Sequence, residues 1–91
     1  MVKLSEEKNL AELNKDARKS LDIEIGMDWF ESNNYDEALI AFRNAEYKEG
    51  IIFVADNKFH NGDVKEAIEL YNEGGKPDLA TYAARYLPKK S

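Results

Sequence analysis

Apolar residues recur at i, i+3, i+4 and i+7 in two segments, Tyr35, Ala38, Leu39, Phe42 and then Val64, Ala67, Ile68, Tyr71, with a constant offset of 29 residues. That spacing gathers each set on one face of an α-helix. Each segment opens on a capping residue, Asn34 or Asp63. A glutamate three places on, Glu37 or Glu66, is spaced to reach back to the cap's own N–H. A helix-length phrase repeated at such an interval predicts a stacked helical array, since each unit needs its neighbours to bury its apolar face.

The flanking segments extend the array. Ser5 followed by Glu6 and Glu7 reads as a helix start. From there to Lys19 the apolar residues are sparse, Leu10, Leu13 and Ala17, with Leu21 next in phase. Residues 5–19 are therefore expected to form a one-sided cap helix, its other face carrying Glu12, Asn14, Lys15, Asp16 and Arg18. Ser20 could cap a new helix, but no Gly or Pro enforces a break there, so continuity with the next segment stays open. The segment from Ser20 to Ser32 holds Leu21, Ile23, Ile25, Met27, Trp29 and Phe30, an apolar arc wide enough for packing on more than one side. Asn33 and Asn34 supply a left-handed stop and a new cap, which makes 20–46 an antiparallel hairpin.

The run Ile51, Ile52, Phe53, Val54, Ala55 resembles a buried strand in isolation. The 29-residue register instead places it opposite the helix of Leu21 to Phe30, with Ile25 matching Val54, Gly26 matching Ala55 and Phe30 matching Phe59. Residues 49–74 then form a second hairpin, turned by Asn61 and Gly62 and stopped by Gly74 and Gly75. Pro77 suits the first position of a last helix, Asp78 to Leu87, so that 77–88 is the front half of a third repeat. Its residues Leu79, Tyr82 and Tyr86 form a sector that a following helix would normally cover. They either lie along the surface of a terminal helix or form a candidate assembly surface for a homo-oligomer.

Composition narrows the classes of function. A net charge of −5 argues against a nucleic-acid backbone as partner, and Lys89 and Lys90 make only a short basic tail. The absence of cysteine excludes disulfides and thiolate ligands and fits a cytoplasmic home. No apolar run approaches the roughly 18 residues of a membrane span. The chain holds one histidine, His60, and its serines lie in cap or terminal contexts, so no catalytic constellation is expected. His60 and Asp56 share a helix face at i and i+4. A metal needs more ligands than this pair supplies, and no cofactor is expected.

Gly26, Trp29, Tyr35, Ala38, Phe42 and Ala45 stand at the spacings of the tetratricopeptide repeat signature, and the resemblance covers Ser20 to Leu87. The second copy departs from it, with Ala55, Lys58, Val64, Ala67, Tyr71 and Gly74 in those places, and the repeat is shorter than the usual length of about 34. The stretch from Asn61 to Pro88 resembles the helical region of coatomer beta-prime and alpha subunits, which would imply a scaffold in a coat or transport assembly. The resemblance implies an all-α fold of antiparallel hairpins stacked as a short α-solenoid of about five helices. It also implies a concave surface lined by the first helix of each pair. In this sequence that surface would comprise Ile23, Met27, Phe30 and Glu31, then Ile52, Asp56, Phe59 and His60, then Thr81 and Arg85. Phe30 and Phe59 are expected in the core, which leaves Met27, Glu31, Asp56, His60 and Arg85 as groove residues for a protein or peptide partner. Asp56 and Arg85 correspond in the register and are expected to pair.

Overall fold

The computed structural model describes the backbone of residues 3–88 and the side chains of residues 14–88. The chain is all-α, with helices α1 (Lys3–Glu31), α2 (Tyr35–Asn44), α3 (Lys48–His60), α4 (Val64–Glu73) and α5 (Pro77–Ala84). α1 with α2 and α3 with α4 form two stacked hairpins, and α5 closes the stack against α4.

The four turns share one construction. Asn33, Glu46, Gly62 and Gly75 all take positive φ (65°, 53°, 91° and 80°). After each, the next residue's N–H donates back five places: Asn34 to Trp29 O, Tyr47 to Phe42 O, Asp63 to Lys58 O and Lys76 to Tyr71 O, at 2.8–2.9 Å. This is the Schellman closure, which satisfies the last carbonyls of each helix. Asn33 maps onto Gly62 and Glu46 onto Gly75 under the 29-residue shift, so the repeat lives in the turns as well as in the helices.

The same closure explains why the expected capping boxes do not form. The N–H groups of Asn34 and Asp63, which Glu37 and Glu66 would need, are already donated to the preceding helix. Among the described residues, neither cap side chain bonds its own helix. Glu66 instead meets Lys58 Nζ at 3.4 Å, a cation that also lies 3.7 Å from Asp36.

Glu46 is the one turn residue with neither the freedom of Gly nor the tolerance of Asn for its backbone. Glu46→Gly is expected to stabilise the fold by about 1 kcal/mol. A urea titration with an unchanged or lower midpoint would contradict that reading of the turn.

The core is built from buried small residues and the large side chains they admit. Ala38, Phe42, Val54, Ala55, Ala67 and Ala83 are fully buried. A Cβ on Gly26 of α1 would lie 2.6 Å from Phe42 Cε1, and one on Gly50 of α3 would lie 2.5 Å from Phe42 Cδ1. Phe42 therefore reaches from α2 into a slot between two helices, and both slot walls must lack a side chain. Gly26 matches a small residue, Ala55, in the register, and in the structure it is the Phe42 ring that requires it. Arg43 Nε and Nη2 donate to Glu73 Oε2 and Oε1 at 2.6 and 2.7 Å, which ties α2 to α4 and holds the guanidinium more firmly protonated.

At the first end the structure settles the continuity that the sequence left open: α1 runs unbroken through Ser20, so residues 5–19 are not a separate element. Nor do they act as a cover over their described part: residues 14–20 are all exposed, and Leu21 keeps 55% of its surface. The structure spans 71 × 27 × 13 Å, and the first half of α1 runs past the end of α2. The side chains of Leu10, Glu12 and Leu13, and the tail Lys89 and Lys90, lie outside the described residues.

At the other end, α5 stops at Ala84 rather than Leu87. Arg85, Tyr86 and Leu87 tighten into i→i+3 bonds because Pro88 keeps the residue before it out of helical conformation. The face of α5 also differs from expectation. Ala83 and Ala80 are buried and Leu79 packs on the core, whereas Ala84 and Leu87 are exposed. The buried face thus takes in Leu79 from the sector that a following helix would normally cover and leaves Tyr82 and Tyr86 outside it.

Candidate ligand groove

A groove of about 430 Å³ lies between α1 and α3, lined by Met27 and Phe30 from one helix and Phe53, Asp56, Asn57 and His60 from the other. Helical spacing explains the set. Positions 53, 56, 57 and 60 fall on one face of α3, and 27 and 30 on one face of α1. Three of the five expected groove residues, Met27, Asp56 and His60, converge here. Glu31 and Arg85 are exposed but stand outside the lining. Ile52 turns away, toward the α4–α5 turn, where a Cβ on Gly74 would sit 2.5 Å from its Cδ1.

Phe30 belongs to core and groove at once. It is half-buried, packs edge-on against Tyr35 at 5.3 Å between centroids, and tilts against Phe53 at 6.2 Å. Phe53 keeps 40% of its surface. It was not among the residues the sequence nominated, although the register held a signal: Phe53 shifted by 29 falls on Tyr82, another exposed aromatic. Asn57 carried no comparable signal, being one of many polar helix residues.

Asp56 is held by a partner from the second helix of its own hairpin. Tyr71 Oη on α4 donates to Asp56 Oδ1 at 2.5 Å. Tyr71 is the register equivalent of Phe42, so the same aromatic position carries a hydroxyl in the second repeat. Burial first, then the bond to Asp56 and its charge, push the Tyr71 hydroxyl well above the ordinary tyrosine range. The expected pair of Asp56 with Arg85 does not form among the described residues, because the carboxylate is already engaged by Tyr71 and Arg85 sits beyond the end of α5.

His60 Nδ1 lies 2.7 Å from the Asp56 carbonyl oxygen, which can only accept, so Nδ1 carries a proton and Nε2 is the nitrogen outside that bond. Among the described residues, no three His, Cys, Asp or Glu side chains gather to hold a metal.

A separate aromatic cluster adjoins His60 outside the groove lining. Phe59 stands edge-on to His60 and to Tyr86, with centroids at 6.0 and 5.3 Å, and Tyr82 lies 6.3 Å away. The hydroxyls of Tyr82 and Tyr86 share a hydrogen bond at 3.0 Å, which raises the Tyr86 hydroxyl above its usual range. These tyrosines, in the sector that a following helix would normally cover, lie along the surface against Phe59 of α3. They extend the side on which Phe59 and His60 sit.

Two larger depressions have little selective chemistry. One, of about 600 Å³, is walled by Lys15, Asp16, Arg18, Lys19, Asp22, Asn44, Ala45 and Glu46, three bases against three acids. The other, of about 630 Å³, lies between the start of α4 and Leu87 and Pro88. Among the described residues, no helix is long and apolar enough to cross a membrane.

Fold and groove together define a short array of stacked helical hairpins with a partly apolar cleft between the first helices of its two pairs. No family model, curated protein or solved structure matches the chain.

Proposed function

We propose that the protein is a non-enzymatic interaction module that takes a peptide or helix of a protein partner in the groove between α1 and α3. The observation that carries this reading is the convergence of exposed Phe53 with Met27 and Phe30 beside the polar trio Asp56, Asn57 and His60. An apolar bed with a few placed polar groups is the usual composition of a binding cleft. The bed would bury one or two ligand side chains, and Asp56 and His60 would fix a donor or a cation at its edge. The proposed partner is thus an apolar peptide carrying a nearby basic or amide group, in a cytoplasmic setting.

The test is a selection of displayed peptides on the natural chain, followed by affinity measurement against Phe53→Ala combined with His60→Ala. Neither residue belongs to the buried core, so the variant should fold. Selected peptides are expected to bind it roughly 30-fold or more weakly, as for loss of a central anchor. Equal affinity for both chains would exclude the groove.

The alternative, a self-assembling scaffold related to coat or transport solenoids, would use Leu79, Tyr82 and Tyr86. It draws on the exposure of the two tyrosines, but Leu79 is committed to the core, which leaves that surface small.

A further inference from the structure

An apolar face on α1 goes uncovered for much of its length. Ala17, Leu21, Ile25 and Trp29 follow one another at four-residue steps, and all are exposed: Leu21 at 55%, Ile25 at 38% and Trp29 at 41%. Ile40 of α2 flanks them at 58%, and together Ile25, Trp29, Ile40 and Ala41 line a shallow trough. The sequence continues the stripe toward the helix start with Leu13 and Leu10.

The repeat itself shows what this face is for. Under the 29-residue shift Ile25 falls on Val54 and then on Ala83, both fully buried, and Leu21 falls on Gly50, which is buried against Phe42. At these two positions, Leu21 and Ile25, the first repeat leaves open what later repeats bury, whereas the equivalents of Ala17 and Trp29 (Glu46, Lys58 and Leu87) are not buried.

Charge selects the occupant. Residues 3–19 of α1 hold five bases and four acids, whereas residues 20–31 hold four acids and no base. The acidic half lies at the helix C-terminus, where the backbone dipole disfavours it. A parallel neighbour of the same kind would set acid against acid. An antiparallel one sets the basic half of each helix against the acidic half of the other.

We propose that α1 is a self-association element that pairs antiparallel with α1 of a second copy. Centred near residue 19, this pairing puts Ala17 opposite Leu21 and Leu13 opposite Ile25, and it brings Arg18 of each chain beside Asp22 of the other. It also supplies the support that a projecting helical half lacks in water, where short isolated helices are marginal. The proposal is independent of the groove, which lies on another face of α1.

Sedimentation over a concentration series tests it on the full chain. The natural protein is expected to dimerise, and Leu21→Glu with Ile25→Glu to weaken the dimer roughly 30-fold or more. Both side chains are exposed in the single chain, so circular dichroism should show the fold retained. Arg18→Glu should weaken the dimer, and adding Asp22→Arg to the same chain should restore it.

Orientation is read separately by cross-linking. The chain has no cysteine of its own. A mixture of Leu13→Cys and Ile25→Cys chains should form the mixed disulfide in preference to either like pair. A monomer at the highest soluble concentration would overturn the proposal. So would a dimer indifferent to the glutamate pair but dissolved by Tyr82→Glu with Tyr86→Glu, since that would place a second copy on α5. Predominant like-pair disulfides would overturn the antiparallel arrangement.

Discussion

Phe42→Ala is expected to lower the stability of this chain by about 3–5 kcal/mol. Domains of this size hold on the order of 5–15 kcal/mol in all, so the variant should lose a large share of its stability, read as a lowered urea midpoint. The reason is specific to the slot. Phe42 is fully buried between α1 and α3, and both faces that meet its ring are glycines. Neither wall has a side chain that could swing in to fill the space.

The reciprocal change tests the same geometry. Gly50→Ala gains about 1 kcal/mol of helix propensity, yet its Cβ would sit 2.5 Å from the ring, so a net loss of about 1–3 kcal/mol is expected. Combined with Phe42→Leu, the alanine should cost less than it does alone, because the smaller side chain vacates the contested volume. Strict additivity in a double-mutant cycle by urea unfolding would mean that Phe42 and Gly50 do not oppose each other as described.

Tyr71→Phe is expected to cost about 1.5 kcal/mol at neutral pH, the low end for a hydrogen bond to a charged acceptor, because exposed Asp56 can turn to water. Its pH dependence is more diagnostic. In the folded chain the hydroxyl keeps its proton above the ordinary range, so the fold binds that proton when the unfolded chain has released it. The resulting stabilisation is complete below the unfolded value of about 10 and falls as pH rises past it. The urea midpoint of the natural chain should therefore drop more steeply than that of Tyr71→Phe between neutral pH and the alkaline side of 10. Lysines and the other tyrosines titrate in both proteins and cancel in the comparison. Parallel profiles would show that Tyr71 is not held by Asp56.

Both residues occupy one position in the repeat, and this is where sequence reading reached furthest. The shift of 29 residues that pairs Phe42 with Tyr71 also pairs the left-handed turn residues and the buried positions Val54 and Ala83. Such features are local. Periodicity chooses the helix, and Gly or Asn marks the stop, because backbone sterics act over a few residues.

The candidate groove was half legible. Met27, Asp56 and His60 follow from register and helical phase, whereas Phe53 looked like part of a buried apolar run and proved to be open on one side. A run of apolar residues does not say which of its members a neighbour will cover. Arg85 failed for a different reason: its register position is sound, but the helix ends before it, and Tyr71 already engages the acid it was matched to.

By itself, then, the sequence determined the helices from α2 to α5, the Asn and Gly turns that close three of their junctions, the repeat and the small residues that packing demands. Those choices are made by bonds and side chains a turn or less apart. Tertiary structure alone decided that α1 continues as one helix through Ser20, that the capping glutamates are displaced by the preceding helix's closure, and that Phe42 fills a glycine slot. It also decided which aromatics face the groove. Each of these depends on groups distant in the chain competing for the same hydrogen bond or the same volume, and only the assembled stack settles which of them gets it.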